Sequence, residues 1–281
     1  MNDTHTSPAL YVVATPIGNL EDMTYRAVEL LSRVDFVAAE DTRRTRVLFE
    51  HYGINRPLVA LHEHNESAVA PGLIQRLQTG ESMALVSDAG TPLVSDPGFR
   101  LLRLAIDAGI AVLTVPGVSA VTAALSVAGL PTDRFVFQGF LPAKHAARTA
   151  LLDRLRSETG TLVFFESSHR ILASLEDLAA GFGEERNAAV CRELTKRFET
   201  TLRGTLRELQ QLIARDPDQQ KGEFVLVVAG AEVDSSLAMP SAVELGAALT
   251  KYLSGSQAAR VAARIHGVDR RELYRLLVGD E

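Results

Sequence analysis

The sequence predicts an α/β protein: two successive α/β domains, residues 9–131 and 132–233, and a small helical module at 241–281. Three observations predict it. Short, nearly continuous apolar runs alternate with longer amphipathic ones, the pattern of strands buried on both faces and helices that cover them. The pattern restarts after Leu130-Pro131-Thr132-Asp133, which reads as a linker. A polar break at 233–240 then leaves a stretch with helical spacing alone. A length of 281 residues fits this division, at roughly 150 residues per domain.

In the first half, the runs at 10–14 (LYVVA), 36–39, 83–86 and 112–115 read as strands of a parallel sheet. Between them, Phe99, Leu102, Ala105 and Ile106 make one apolar helical face over 99–106. The Ala-rich stretch 118–128 reads as a helix packed close to a sheet. In the second half, 135–140, 162–165, 188–192 and 224–229 (FVLVVA) read as strands, and 143–156, 171–182 and 205–214 as helices. Three short helices follow the break, at 242–253, 257–266 and 270–278. Ser256 is the expected N-cap of the second and Gly267 its stop.

Hydrophobic residues make up 46% of the chain and charged residues 23%, so disorder, collagen-like and coiled-coil classes are excluded. No run approaches the roughly 18 apolar residues of a membrane span, and residues 1–8 lack the apolar centre of a secretory signal. The single Cys191 excludes a disulfide framework and fits a reducing cytoplasm; its apolar strand makes it a core residue. With 29 Lys and Arg against 35 Asp and Glu, the net charge is −6. That balance argues against broad nucleic-acid binding, but the charge is sorted. Residues 251–281 carry six basic and four acidic side chains, a balance of +2, which leaves −8 on residues 1–250.

No G-x-G-x-x-G, no G-x-x-x-x-G-K-[ST], no G-x-S-x-G and no H-E-x-x-H occurs, which removes the standard phosphate cradles, the nucleophile elbow and the zinc helix. His62-Glu63-His64 lacks a third ligand and reads as a polar loop, so no metal is expected. In an open α/β sheet, ligands bind at the carboxyl ends of strands. Four loops lie there: 15–20, 40–43, 87–98 (SDAGTPLVSDPG) and 116–120. The third is dense in Gly, Pro, Ser and Asp, which constrain the backbone or let it approach a ligand closely.

The segments TPIGNLEDMTYRA, AEDTR, SDAGTPLVSDPG and VPGVSA, followed by FFESSHRI, RELTKRFET and KGEFV, resemble the tetrapyrrole (corrin/porphyrin) methylases. Within these they are similar to the bacterial ribosomal RNA small subunit methyltransferase I family. The resemblance runs from about residue 10 to the C-terminus. It implies two α/β domains with S-adenosylmethionine in the cleft between them, and 2′-O-methylation of a cytidine in the decoding centre of 16S ribosomal RNA. The implied partner is that RNA within the small subunit; the implied state is a homodimer.

For the cofactor, the resemblance implies Pro16 and Gly18 in the N-terminal loop, and the backbone of Asp88, Ala89 and Gly90. It implies Leu93 as an apolar wall against the adenosyl group, the small pair Ser119 and Ala120, Glu166, and Leu194 or Thr195 beside the adenine. A sulfonium, an amino acid and an adenosine without phosphate need backbone donors and apolar walls. The missing phosphate cradle is then expected.

A ribose hydroxyl is a poor nucleophile until its proton leaves, so a positioned base helps; alignment in the cleft supplies acceleration of its own. The candidate bases and orienters are Glu166, His169, Glu193, Lys196 and Glu199, with Lys196 serving only if burial or a nearby cation lowers its pKa. Arg43, Arg170 and Arg197 are candidates to grip phosphates. Each has a plainer reading. Glu193 and Lys196, three apart, make an ordinary surface pair; His169 caps the helix near Ile171; Asp41 and Arg43 form a structural salt bridge. In the tail, SQAARVAARIHGVDRRELYRLL has the look of a helix-turn-helix, with Arg260 and Arg264 on one face. It reads as an RNA-docking module or as a packed appendage. Two alternatives to RNA methylation are a tetrapyrrole-precursor C-methyltransferase and a non-catalytic ribosome-assembly factor. The basic tail disfavours the first, and the intact SDAGTPLVSDPG and VPGVSA loops disfavour the second.

Overall fold

The computed structural model describes residues 7–232 and 235–278, with the side chains of 235–237 left aside. It divides into two compact units that meet between Gly230 and Ala231.

The first unit begins with β1 (Leu10–Val13), α1 (Tyr25–Leu31), β2 (Phe36–Ala39), α2 (Thr42–Tyr52), β3 (Leu58–Ala60), α3 (Glu66–Gln78), β4 (Met83–Val86), α4 (Phe99–Asp107), β5 (Val112–Val115) and α5 (Ala120–Ala128). The strands make one sheet in the order β3-β2-β4-β1-β5, every pair parallel as the continuous apolar runs predict. β1 sits between β4 and β5, with Leu10 beside Met83 on one side and Val112 on the other. The carboxyl ends of β1, β2, β4 and β5 therefore open on one edge. Two apolar layers cover the sheet, one around Tyr11, Val13, Val37 and Phe49 and the other around Leu10, Phe36, Leu85 and Leu101.

Local chemistry sets the helix ends. The Thr24 side chain accepts from the Ala27 N–H at the start of α1, and the Asp41 carboxylate accepts from the Arg43 N–H at the start of α2. Gly53, with φ of 66°, closes α2 in the left-handed region. Gly98, before α4, has φ of 117°, and a Cβ there would lie 2.8 Å from Leu85 Cδ2. Only glycine fits that corner.

The second half holds β6 (Phe135–Phe140), α6 (His145–Leu155), β7 (Thr161–Ser167), α7 (Ile171–Phe182), β8 (Asn187–Arg192), β9 (Thr200–Thr205), α8 (Leu206–Arg215) and β10 (Glu223–Val228). Its sheet runs β6-β7-β10-β8-β9. Only β6 and β7 are parallel; β10 is antiparallel to both neighbours, and β9 to β8. Residues 200–205, which carry no apolar run in the sequence, are this edge strand. Helices α6, α7 and α8 close one face over Leu162, Phe164 and Leu226. On the other face, α5 from the first half packs through Val121, Ala124 and Leu125 onto Val163, Ala189 and Val225. The Ala-rich stretch does pack close to a sheet, and that sheet is the second one.

The C-terminal unit is three helices, α9 (Ser235–Leu249), α10 (Gly255–His266) and α11 (Arg270–Val278), around Ala242, Ala259, Ala262 and Leu273. Two expectations are corrected. Residues 235–240 of the expected break are helical, with Pro240 inside α9; Val233 and Asp234 lie outside the described residues. The N-cap of α10 is Ser254 and not Ser256. Gln257 Oε1 accepts from both the N–H and the hydroxyl of Ser254, while the Ser256 hydroxyl takes a bond from Arg270. Gly267 ends α10 with φ of 67°, as expected.

Candidate active site

The loops at the carboxyl edge of the first sheet face the end of the second sheet across a cavity of about 550 Å³. Ile17, Glu40, Arg44, Asp88, Ala89, Gly90, Thr91, Val94, Ser95, Asp96, Ser119 and Ala120 enter from the first half. From the second come Phe140, Phe165, Glu166, Ser167, Ser168, His169, Leu194 and the β10 edge at Gly222–Val225, with buried Cys191 behind. Burial pushes the Cys191 thiol up to about 11, so it stays a neutral core group.

Two loops bounding the cavity hold unusual backbone. Leu93 and Ser95, in 87–98, have φ of 76° and 68°; Glu193 and Thr195, in 193–199, have φ of 51° and 65°. Non-glycine residues in this region are costly and collect where function needs a fixed geometry. The first loop is pinned by Gly90, whose N–H and carbonyl both bond to Thr15 at 2.9 Å. Gly90 thus brings backbone close to the cavity while its donor goes to Thr15. The left-handed turn at Leu93 sends that side chain into the first-sheet core beside Gly98, and Val94 lines the cavity in its place.

Of the expected cofactor residues, the cavity brings together Asp88, Ala89, Gly90, Ser119, Ala120, Glu166 and Leu194. Leu93, Gly18, Pro16 and Thr195 do not line it. Gly18 sits under Lys196 Cγ, with Leu194 O 3.1 Å from where a Cβ would stand, so its lack of a side chain has a packing cause. Pro16 borders a separate small hollow with Arg44 and Leu48. Thr195 donates its N–H to Glu199 Oε2 at 2.7 Å, and its hydroxyl is buried without a partner.

The expected bases divide sharply. Glu166, 2% exposed, has both oxygens occupied: Oε1 accepts from the Ser167 N–H and Arg170, both at 2.7 Å, and Oε2 from the Ser174 hydroxyl at 2.5 Å. Lys196 Nζ lies between Glu223 Oε2, at 2.8 Å, and Glu193 Oε1, at 3.0 Å. Burial alone would lower its pKa, but the hydrogen bonds and charges of Glu223 and Glu193 outweigh burial and hold the ammonium above its ordinary value. The condition for Lys196 to act as a base is therefore not met. For Glu193, burial pushes the carboxyl up, but the Glu223 N–H and Lys196 outweigh it and hold it below its ordinary range. The pair is not a plain surface pair either, because Glu223 completes it. Glu199 is exposed and spends an oxygen on the Thr195 N–H. His169 is exposed at the cavity and does not cap α7, whose N-cap position is Arg170.

The expected phosphate grips also separate. Arg170 is turned inward on Glu166, the Ser167 hydroxyl and Leu141 O. It braces the end of β7 and is not free for a phosphate. Arg43 forms a forked pair with Asp41, Nη2 to Oδ2 at 2.6 Å, so the salt bridge is real. The Arg43 side chain is nonetheless 87% exposed. Arg197 is exposed over the Phe198 ring, and Arg260 and Arg264 are exposed on α10. His62 and His64 have ring centres 6.1 Å apart, and among the described residues no three ligating side chains gather for a metal.

Sequence reading missed Glu40, Arg44 and Asp96. The Asp88 N–H donates to Glu40 Oε2 at 3.3 Å, Asp88 Oδ2 is 3.4 Å from Arg44, and Asp88 Oδ1 accepts from the Asp41 N–H. Asp96 Oδ2 is buried without a partner. The signal was the second Ser-Asp of SDAGTPLVSDPG, which repeats the first eight residues on.

The cavity volume falls in the small-ligand range of roughly 300–1,000 Å³. Carboxylates at Glu40, Asp88, Asp96 and Glu223 oppose a phosphate and suit hydroxyl and cationic groups. Ile17, Val94, Ala120 and Leu194 supply apolar wall. This donor set fits an adenosyl amino acid bearing a sulfonium. The pattern of Tetrapyrrole (Corrin/Porphyrin) Methylases matches residues 9–210, which places this pair of sheets and its cleft in that class of methyl-transfer enzymes. The pattern of the RsmI C-terminal HTH domain matches residues 241–279.

Among relatives, ribosomal RNA small subunit methyltransferase I of Xylella fastidiosa is 54% identical over 96% of this chain and 98% of its own. The protein of that name from Pseudomonas aeruginosa is 51% identical, over 94% and 95%. The chain belongs to the ribosomal RNA small subunit methyltransferase I family of tetrapyrrole methylases, which use S-adenosylmethionine. Two solved structures share the fold. Diphthine synthase matches with a TM-score of 0.62 at 20% identity, covering 79% of this chain and 89% of that one. Uroporphyrin-III-C-methyltransferase from Thermus thermophilus matches with 0.55 at 22%, covering 78% and 93%. No described helix is long and apolar enough to cross a membrane.

Proposed function

We propose that this chain transfers a methyl group to small-subunit ribosomal RNA, at the 2′-oxygen of a cytidine ribose in the decoding centre, as a cytoplasmic homodimer. The observation that carries the reading is identity of about half with relatives of that name over nearly the whole chain. The donor supplies an electrophilic methyl on a sulfonium; transfer breaks that carbon–sulfur bond and leaves its electron pair on sulfur. Ala89, Gly90, Ser119, Ala120 and Leu194 would hold it, and Ile17 and Val94 would exclude water from it. A compact cleft that fixes donor and acceptor together removes much of the entropic cost of their meeting. Exposed Arg43, Arg197, Arg260 and Arg264 would hold RNA phosphates.

Mass mapping of 16S RNA from a strain lacking this protein tests the reading. One ribose methyl should be missing and should return on complementation; an unchanged pattern would overturn it. The C-terminal unit has its own small core and exposed arginines, so its part in RNA docking is separable. A chain lacking residues 241–281 is expected to keep its calorimetric affinity for S-adenosylmethionine while its RNA methylation falls at least about tenfold, the equivalent of one strong phosphate contact or more. Equal loss of both would make the unit a structural prop.

A further inference from the structure

We propose that Asp96 is the general base of the site, its Oδ2 taking the proton of the attacking ribose hydroxyl. The inference rests on the RNA-methylation reading above. It starts from an elimination among the carboxylates of the cavity. A base needs a free oxygen within reach of the acceptor. Both oxygens of Glu166 are taken. Those of Asp88 are engaged by the Asp41 N–H and Arg44. Glu40 accepts from the Asp88 N–H, and Glu223 pairs with Lys196. Asp96 forms no ion pair and, unlike Glu40 and Glu223, carries a buried oxygen with no partner.

Its position suits an acceptor arriving from outside. Ser95, the neighbour of Asp96, is exposed, and its hydroxyl lies 3.0 Å from where a Cβ on Gly139 would stand. Next to Gly139, Phe140 is 56% exposed and meets Phe165 edge-on at 5.5 Å. One aromatic face at the mouth is therefore open for a splayed base to stack on. A nucleotide held there presents its ribose between Phe140 and the loop that carries Asp96.

In the step, the ribose O–H bond breaks and its electron pair becomes the new oxygen–carbon bond. The proton passes to Asp96 Oδ2, so the carboxylate ends neutral as the sulfonium charge is lost. The charged and titratable groups that line the cavity with Asp96 are Glu40, Asp88 and Arg44 from the first half, and Glu166, His169 and Glu223 from the second. Burial raises its pKa to about 6; the Ser87 hydroxyl lowers it in part, and the lesser effects of the negative Glu40 and Asp88 raise it again. A base with that value is ionised at neutral pH and still basic enough to accept a proton.

The test uses the full-length protein and small ribosomal subunits from a strain that lacks it. For Asp96→Asn, turnover should fall roughly 10²- to 10⁴-fold with S-adenosylmethionine affinity unchanged by calorimetry. Wild-type turnover should fall off below about pH 6, and His169→Gln should keep that acidic limb, since imidazoles titrate in the same range. Carbon-detected NMR of the cofactor-free protein should place the Asp96 carboxyl near 6. The proposal is overturned by an Asp96→Asn enzyme of wild-type rate, by matched losses of turnover and cofactor affinity, by loss of the limb in His169→Gln, or by a carboxyl titrating near 4. Wild-type protein that leaves the subunits unmethylated would overturn the RNA reading and this role together, whereas methylation at full rate by Asp96→Asn would overturn this role alone.

Discussion

Glu166→Ala is expected to cost the folded protein about 3–5 kcal/mol, the range for removing one partner of a buried charge pair. The carboxylate is shut off from solvent, while the Arg170 guanidinium is 25% exposed. Removing Glu166 leaves Arg170 without its counter-charge, and the Ser174 hydroxyl and Ser167 N–H without their acceptor. Arg170 also donates to Leu141 O, so the damage spreads from the end of β7 to the loop after β6. Urea unfolding at pH 7.5 measures this. Glu166→Gln keeps the shape and one acceptor, so it should lose less stability, with activity falling in step. An inactive Glu166→Gln protein as stable as wild type would instead give this carboxylate a part in the chemistry.

Why Glu166 looked like a base from sequence, and reads as a brace in the structure, shows where legibility stops. Strands β1, β2 and β4 were visible because burial on both faces forces unbroken apolar runs, as in FVAA and MALV, while the edge strand β5 showed through an apolar run broken only by Thr114. Strand β9 was not, because an edge strand that is only half-buried, Thr200–Thr205, has no such run. Helix α2 starts with five polar residues, three of them arginines, so its stripe of Thr45, Leu48 and Phe49 was missed. The mixed order of the second sheet was hidden because β10 is apolar enough to be parallel; its direction follows from the chain path alone.

The site shows the same limit. The 87–98 loop stood out by composition and the 116–120 loop by its place after a strand, and the structure puts both on the cavity. What each side chain does there depends on partners far along the chain. Glu223, 27 residues beyond Lys196, turns that lysine from a possible base into a held cation. The left-handed backbone at Leu93 exchanges it for Val94. Neither fact has a local sequence signature.

The second large effect concerns pH and stability at Asp96. Its carboxyl has a pKa of 3.8 in an ordinary setting and of about 6 in the fold. An acid that holds its proton more tightly when folded contributes no penalty below about pH 4, where both states are protonated. As pH rises from 4 through 6, the folded chain must carry a charge that the unfolded chain carries more easily, and stability falls. A shift of about two units corresponds to at most about 3 kcal/mol at pH 8, and solvent screening of this partly exposed carboxyl brings it below that. Asp96→Asn removes that penalty. Its stability relative to wild type should therefore be near the wild-type value at pH 4 and should rise above it, by less than about 3 kcal/mol at pH 8, with most of the change between pH 4 and 6.5. Thermal or urea unfolding across that range checks it, and parallel curves for the two proteins would show that Asp96 carries no such charge in the fold. A side chain whose loss stabilises the protein at the pH where it works is kept for something other than folding. With a buried oxygen that has no partner, this carboxylate costs the fold stability once it is ionised.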